Sequence, residues 1–123
     1  MKTLIAGSRN IIDYDKFLEI MDICPFKNEI TEVVSGGARG VDLMGERWAK
    51  DNDILIKKFP ANWEKYGKAA GFIRNREMLD YIEVAIIVWD GQSSGTKDMI
   101  FILGSKKLTY PVYQVIYDPT KLL

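Results

Sequence analysis

Short runs of aliphatic and β-branched residues recur along the chain and alternate with stretches whose apolar positions repeat every three or four residues. The first pattern suits strands and the second suits amphipathic helices, because side chains alternate faces along a strand and recur on one helix face with a period of 3.6. Strands are predicted over residues 3–6, 32–35, 55–59, 84–89 and 112–117. Between the first two, Asp13 reads as a helix N-cap, Tyr14, Phe17, Leu18 and Met21 share a face, and Pro25 stops the helix. A second helix buries Val41, Met44 and Trp48, with Gly45 marking a close approach of helix to sheet. A third, near residues 68–81, carries Ala69, Phe72, Ile73, Met78 and Leu79. A fourth begins close to Thr96 and carries Met99, Ile102 and Leu103.

This β-α-β alternation predicts a Rossmann-like α/β three-layer sandwich: a parallel five-stranded sheet with helices on both faces, since right-handed crossovers place the helices there. The unbroken apolar run 84–89 suits a central strand, whereas the alternating run 112–117 and the pair Lys57-Lys58 suit edges. The predicted strand order is 3-2-1-4-5. The small and polar residues then fall after the carboxyl ends of the strands: Gly7-Ser8-Arg9, Ser35-Gly36-Gly37, Phe59-Pro60 and Asp90-Gly91. Ligands of such sheets bind at that edge where the strand order reverses, here between strands 1 and 4.

Composition narrows the class. The chain has 123 residues, read as one domain over 1–123, and 47% of them are hydrophobic, enough for a real core. Seventeen basic residues balance seventeen acidic ones, so no global charge draws it to nucleic acid or anionic membrane. With one cysteine and no histidine, an intrachain disulfide is excluded and the usual zinc and catalytic-thiol sets are missing; no metal and no cofactor are expected, and Cys24 reads as a small apolar filler. The first apolar run is too short for a signal peptide and no run approaches a membrane span, so a cytoplasmic location is expected.

Two turns carry candidate chemistry. Ser35-Gly36-Gly37-Ala38-Arg39-Gly40-Val41-Asp42 links a strand to a helix. Glycines there let a ligand approach backbone N–H groups, the helix start favours anions, Arg39 adds a guanidinium fork, and Asp42 can cap N–H groups or accept from a sugar hydroxyl. A tight connection using glycine only for geometry is the alternative. The second turn, Asp90 to Thr96, offers Ser94, Gly95 and Thr96 to an anion, or else a plain turn with a Thr N-cap. Arg9 and Arg74 are candidate phosphate clamps, each weighed against an ordinary surface arginine. Spacing alone favours Trp63 and Tyr66 as core, with Trp63 the candidate base-stacking residue, and Trp89 as packed.

Five segments together resemble the YspA-like, cpYpsA-related branch of the SLOG superfamily, named for the DNA-processing Smf/DprA proteins and the Lonely Guy phosphoribohydrolases. They are Ile5-Ala6-Gly7-Ser8-Arg9, the segment 34–42, Phe59-Pro60-Ala61-Asn62-Trp63, Ala70-Gly71-Phe72-Ile73-Arg74-Asn75-Arg76, and the segment 89–96. The resemblance implies a Rossmann-like domain that binds a nucleotide or nucleotide-derived ligand, such as ADP-ribose, in signalling or in conflict between bacteria and phages. It raises Ser8, Arg9, Gly36, Gly37, Arg39, Gly40, Asp42, Arg74, Asn75, Gly95 and Thr96 as site residues. The full expected set adds Gly7, Ser35, Ala38, Pro60, Trp63, Asp90, Gly91 and Ser94.

The Lonely Guy pattern places a catalytic Glu three residues after Gly-Thr, where this chain has Met99. Asp98 is adjacent, but one helical position turns a side chain by roughly 100°. N-glycosidic hydrolysis is therefore the alternative function, with Asp42, Glu46 and Asp98 as its carboxylate candidates. Single-stranded DNA binding of the DprA kind ranks lower, given zero formal net charge and no basic run. The expected partner is a small nucleotide-derived molecule; exposed apolar helix faces are also compatible with a homodimer.

Overall fold

The computed structural model describes residues 1–117; residues 118–123, which the single-domain expectation also covers, lie outside the described residues. Five strands, β1 (Lys2–Gly7), β2 (Glu32–Ser35), β3 (Leu55–Lys58), β4 (Val84–Trp89) and β5 (Tyr113–Ile116), form one sheet in the order β3-β2-β1-β4-β5. Every pairing is parallel. The predicted fold class and strand order are the observed ones.

Alternation along the central strands builds two cores. Ile5, Val33, Val84, Ile86 and Val88 face α1 (Tyr14–Asp22) and α2 (Val41–Asp51), where they meet Phe17, Met21, Met44 and Trp48. Leu4, Ala6, Val34, Ala85 and Ile87 face the opposite way, toward Met78 and Ile82 at α4 (Ala70–Tyr81) and Met99, Ile102 and Leu103 of α5 (Ser94–Leu103). Burial on both faces explains why the run Val84–Trp89 is apolar throughout, while the edges β3 and β5 leave Leu55 and Ile116 exposed. Asp13 caps α1 by accepting from the Lys16 N–H at 3.1 Å. The helix closes at Asp22, ahead of Pro25, and Cys24 is buried beyond its end.

Three differences from the predicted elements bear on the site. A short helix α3 (Trp63–Tyr66) and a 3₁₀ turn (Gly67–Ala69) precede α4, so that helix begins at Ala70. Its buried positions are Ala70, Asn75 and Met78, and Phe72 is 49% exposed. A polar residue holds one core-facing position because it is hydrogen-bonded there; hydrophobic periodicity placed Met78 and Leu79 on the core side and misplaced Phe72. The helix α5 starts at Ser94, which makes Thr96 a buried residue of its first turn and not the cap. Among the described residues no helix is long and apolar enough to cross a membrane.

Gly45 sits where α2 crosses β1. A Cβ there would lie 2.8 Å from Cγ2 and 2.9 Å from Cβ of Ile5, a β-branched side chain with little room to move. Gly45→Ala is expected to lower stability by about 1–2 kcal/mol in urea titration, overpacking outweighing the roughly 1 kcal/mol gained in helix propensity. A net gain in stability would show that helix and sheet separate freely at this point.

Candidate functional site

The carboxyl ends of β1, β2 and β4 open into a cleft of about 490 Å³, flanked by α4 and the start of α5. Its floor is apolar, formed by Ala6, Met78 and Met99. Arg9, Lys68 and Arg74 line it together with one carboxylate, Asp42, and Trp63 and Phe72 stand at its side. The cleft lies at the switch point because β1 pairs with both β2 and β4, whose crossovers leave on opposite faces.

The first glycine turn is held from inside. Gly37 has φ 75° and Gly40 has φ 77°, backbone that favours glycine. A side chain at Gly40 would also strike the backbone of Ser8 and Arg9. Ser35 is buried, donates its hydroxyl to Glu46 at 2.6 Å and accepts from the Gly37 N–H at 3.0 Å. Asp42, 6% exposed, accepts from Gly7 N–H at 3.3 Å and Ala38 N–H at 3.2 Å, tying the β1 turn to the β2 turn. Two N–H groups of this turn, those of Gly37 and Ala38, are thus already paired within the protein.

Arg74 reaches from α4 across the same turn. It donates to the Gly36 carbonyl at 2.6 Å, and from its Nε to Asn75 Oδ1 at 3.2 Å. A Cβ at Gly36 would meet its guanidinium at 2.8 Å, so glycine is required there for the arginine to lie against the backbone. Asn75 in turn donates to Asp98 at 3.1 Å, and Arg76 pairs with the same carboxylate at 3.2 Å.

The second turn is built around Asp90. Its Oδ1 accepts from Gln92 N–H and Ser93 N–H, both at 2.8 Å, and from the Ser93 hydroxyl at 3.0 Å. Ser8 is buried beneath and accepts from the Asp90 N–H at 2.9 Å. The turn delivers Ser94, Gly95 and Thr96 to the cleft as the first turn of α5, and their N–H groups have no acceptor among the described residues.

The residues expected at the site divide into groups. Gly7, Arg9, Ala38, Asp42, Trp63, Arg74, Asn75, Ser94, Gly95 and Thr96 line the cleft. Gly36, Gly37 and Pro60 line a shallower recess beside it. Ser8, Ser35, Gly40 and Asp90 shape the turns without lining either hollow, and Gly91 and Arg39 are exposed and line neither. Of the three carboxylate candidates only Asp42 reaches the cleft; Glu46 is bound to Ser35 and Lys58, and Asp98 to Asn75 and Arg76. Trp63 is 55% exposed and Tyr66 37%, so the core packing that spacing favoured for them is not found. Lys68, Phe72, Met78 and Met99 were missed as lining residues. Phe72 lies inside the quoted segment 70–76, which was the available signal.

Residues 1–66 match the family model described as YspA, cpYpsA-related SLOG family. The chain is also 38% identical over 106 residues to the Gene 61 protein of Mycobacterium phage D29, an alignment that covers 78% of this chain and 82% of that protein. The chain belongs to the YspA, cpYpsA-related SLOG family. No solved structure matches it. Three of the five segments that carried the resemblance fall within the matched residues; those of the α4 and α5 walls lie beyond them.

The two carboxyls of this SLOG site sit in opposite regimes. Burial pushes Asp42 up to about 6, and donation from Ala38 N–H, attraction to Arg74 and donation from Gly7 N–H only partly offset it. Burial also acts upward on Asp90, but its donors from Ser93, Gln92 and Ser8 prevail and hold it down to about 2. Burial lowers Arg74, Asp42 opposes that, and Arg9 adds to it. Because the folded state holds the Asp42 proton more tightly than the unfolded chain does, its contribution to stability is complete below about pH 4. It is lost as the pH rises through 6. Wild-type stability measured against that of Asp42→Asn is expected to fall by on the order of 3 kcal/mol between pH 4 and pH 7, by denaturant unfolding. A flat difference would place an ordinary, hydrated carboxyl at position 42.

Proposed function

We propose that this protein binds a nucleotide or nucleotide-derived ligand of the ADP-ribose kind in the cleft at the carboxyl edge of the sheet, in a signalling or bacterium–phage conflict role. The observation that carries this reading is the meeting, at one switch point, of two arginines, a set of unpaired N–H groups and an apolar floor. Arg9 and Arg74 have no carboxylate within ion-pair distance among the described residues, and Ser94, Gly95 and Thr96 begin a helix there. An anion gains from both. The exposed faces of Trp63 and Phe72 offer a stacking surface for a base, and Asp42 stands within the cleft to accept from a hydroxyl. Family membership supports a nucleotide-related ligand, and a relative from a mycobacterial phage supports the conflict role.

Pairing of Gly37 and Ala38 N–H groups inside the protein moves the anion toward α5 and the two arginines, away from the first glycine turn. In calorimetric titration with ADP-ribose, Arg9→Ala is expected to weaken binding by about 1.5 kcal/mol, and the exposed Arg39→Ala by much less. Equal losses would relocate the phosphate to the first turn.

A hydrolase that cleaves an N-glycosidic bond is the second reading, favoured by one observation: the single carboxyl lining the cleft among the described residues has its proton affinity raised into the range useful for acid–base work. Incubation with a panel of nucleoside monophosphates, followed by chromatography, is expected to release free base from at least one if this reading holds, and Asp42→Asn abolishes that release. An intact panel eliminates it.

A further inference from the structure

The cleft does not close at Trp63. A second recess of about 380 Å³ adjoins it over Gly36 and Gly37, walled by Lys58, Pro60 and Ala61. Arg9, Ala38, Trp63 and Arg74 line both hollows and form the boundary between them.

Charge is not spread evenly along this groove. Arg74, which faces Asp42 and donates to the Gly36 carbonyl, stands at the shared waist with Arg9, which has no carboxylate within ion-pair distance among the described residues; both lie beside the N–H groups that open α5. The far end of the deep hollow is apolar, with Met78 and Met99 in its floor. In the shallow recess the one further cation among the described residues, Lys58, is already paired with Glu46 at 3.2 Å, so that end does not call for another anion. Its remaining wall is glycine backbone, Pro60 and Ala61, which suits a neutral, hydroxyl-bearing group.

Resting on the nucleotide reading above, we propose that the shallow recess is a second subsite and that the ligand is two-ended. A diphosphate or phosphodiester lies at the waist between Arg9, Arg74 and the start of α5. A base occupies the deep hollow against Trp63 and Phe72, and a neutral sugar-like group fills the recess over Gly36 and Gly37. Nucleotides that end in a free phosphate leave that recess empty.

Matched pairs separate the two ends: ADP with ADP-ribose, and GDP with GDP-mannose, titrated calorimetrically into the wild-type protein. The sugar-bearing member of at least one pair is expected to bind about tenfold tighter or more than its diphosphate. Ala61→Trp, which fills the recess from a partly exposed wall position, removes that difference and leaves the diphosphate affinity unchanged. Equal affinities within each pair, or a substitution that weakens both members alike, overturn the second subsite while leaving nucleotide binding in place. Absence of binding by all four overturns the nucleotide reading itself, and the subsite with it. The wild-type ratio decides the matter even if the variant fails to fold.

Discussion

The site depends on one buried carboxylate. Asp42 stands in the first turn of α2 and accepts N–H groups from two separate strand ends, Gly7 after β1 and Ala38 after β2. That link ties the two turns to one side chain at the cleft. Desolvating a carboxylate is costly, and only the two N–H donors and the nearby Arg74 offset the cost. The glycines around it follow from the same constraint. Gly36 leaves space for Arg74 to lie on the backbone, and Gly40 lets the chain pass Ser8 and Arg9 before α2 begins.

Asp90 solves the neighbouring problem by different means. It accepts from its own turn, so it is ionised through the physiological range, and its hydrogen bonds fix where α5 begins. Ser8 joins the two systems: its hydroxyl accepts from Asp90 N–H, while its carbonyl accepts from Val41 N–H at 3.3 Å. A buried serine thereby couples the ends of β1 and β4 to the start of α2. Both polar ends of Ser8 are engaged by protein.

Much of the site was legible because the residues that build strand-end turns are chemically distinctive. Gly36-Gly37 and Gly95-Thr96 mark themselves by composition, and the strand order brings them to one edge. The roles within those turns were less legible. Ser35 and Ser8 were expected among the site residues, yet the Ser35 hydroxyl donates to Glu46 and the Ser8 hydroxyl accepts from Asp90 N–H, partners separated from them by 11 and 82 residues in sequence. Asn75 holds a core-facing position that an apolar pattern would give to a hydrophobe, because Asp98 on α5 accepts from it. The apolar pattern of α4 also gave Phe72 to the core, whereas it lines the cleft.

The sequence by itself determined the sheet: short apolar runs, helical periodicity between them and a fully apolar β4 specify a parallel, doubly covered sheet through local periodicity and burial. The arrangement of small residues at strand ends determined which edge carries the site. Only the tertiary structure decided which polar groups face the cleft and which are spent inside the protein. It alone set Asp42 against Arg74, left Arg9 without a carboxylate partner among the described residues and paired Lys58 with Glu46. The physical reason is that desolvation and hydrogen-bond satisfaction depend on neighbours from distant segments, and no local pattern encodes where those neighbours arrive.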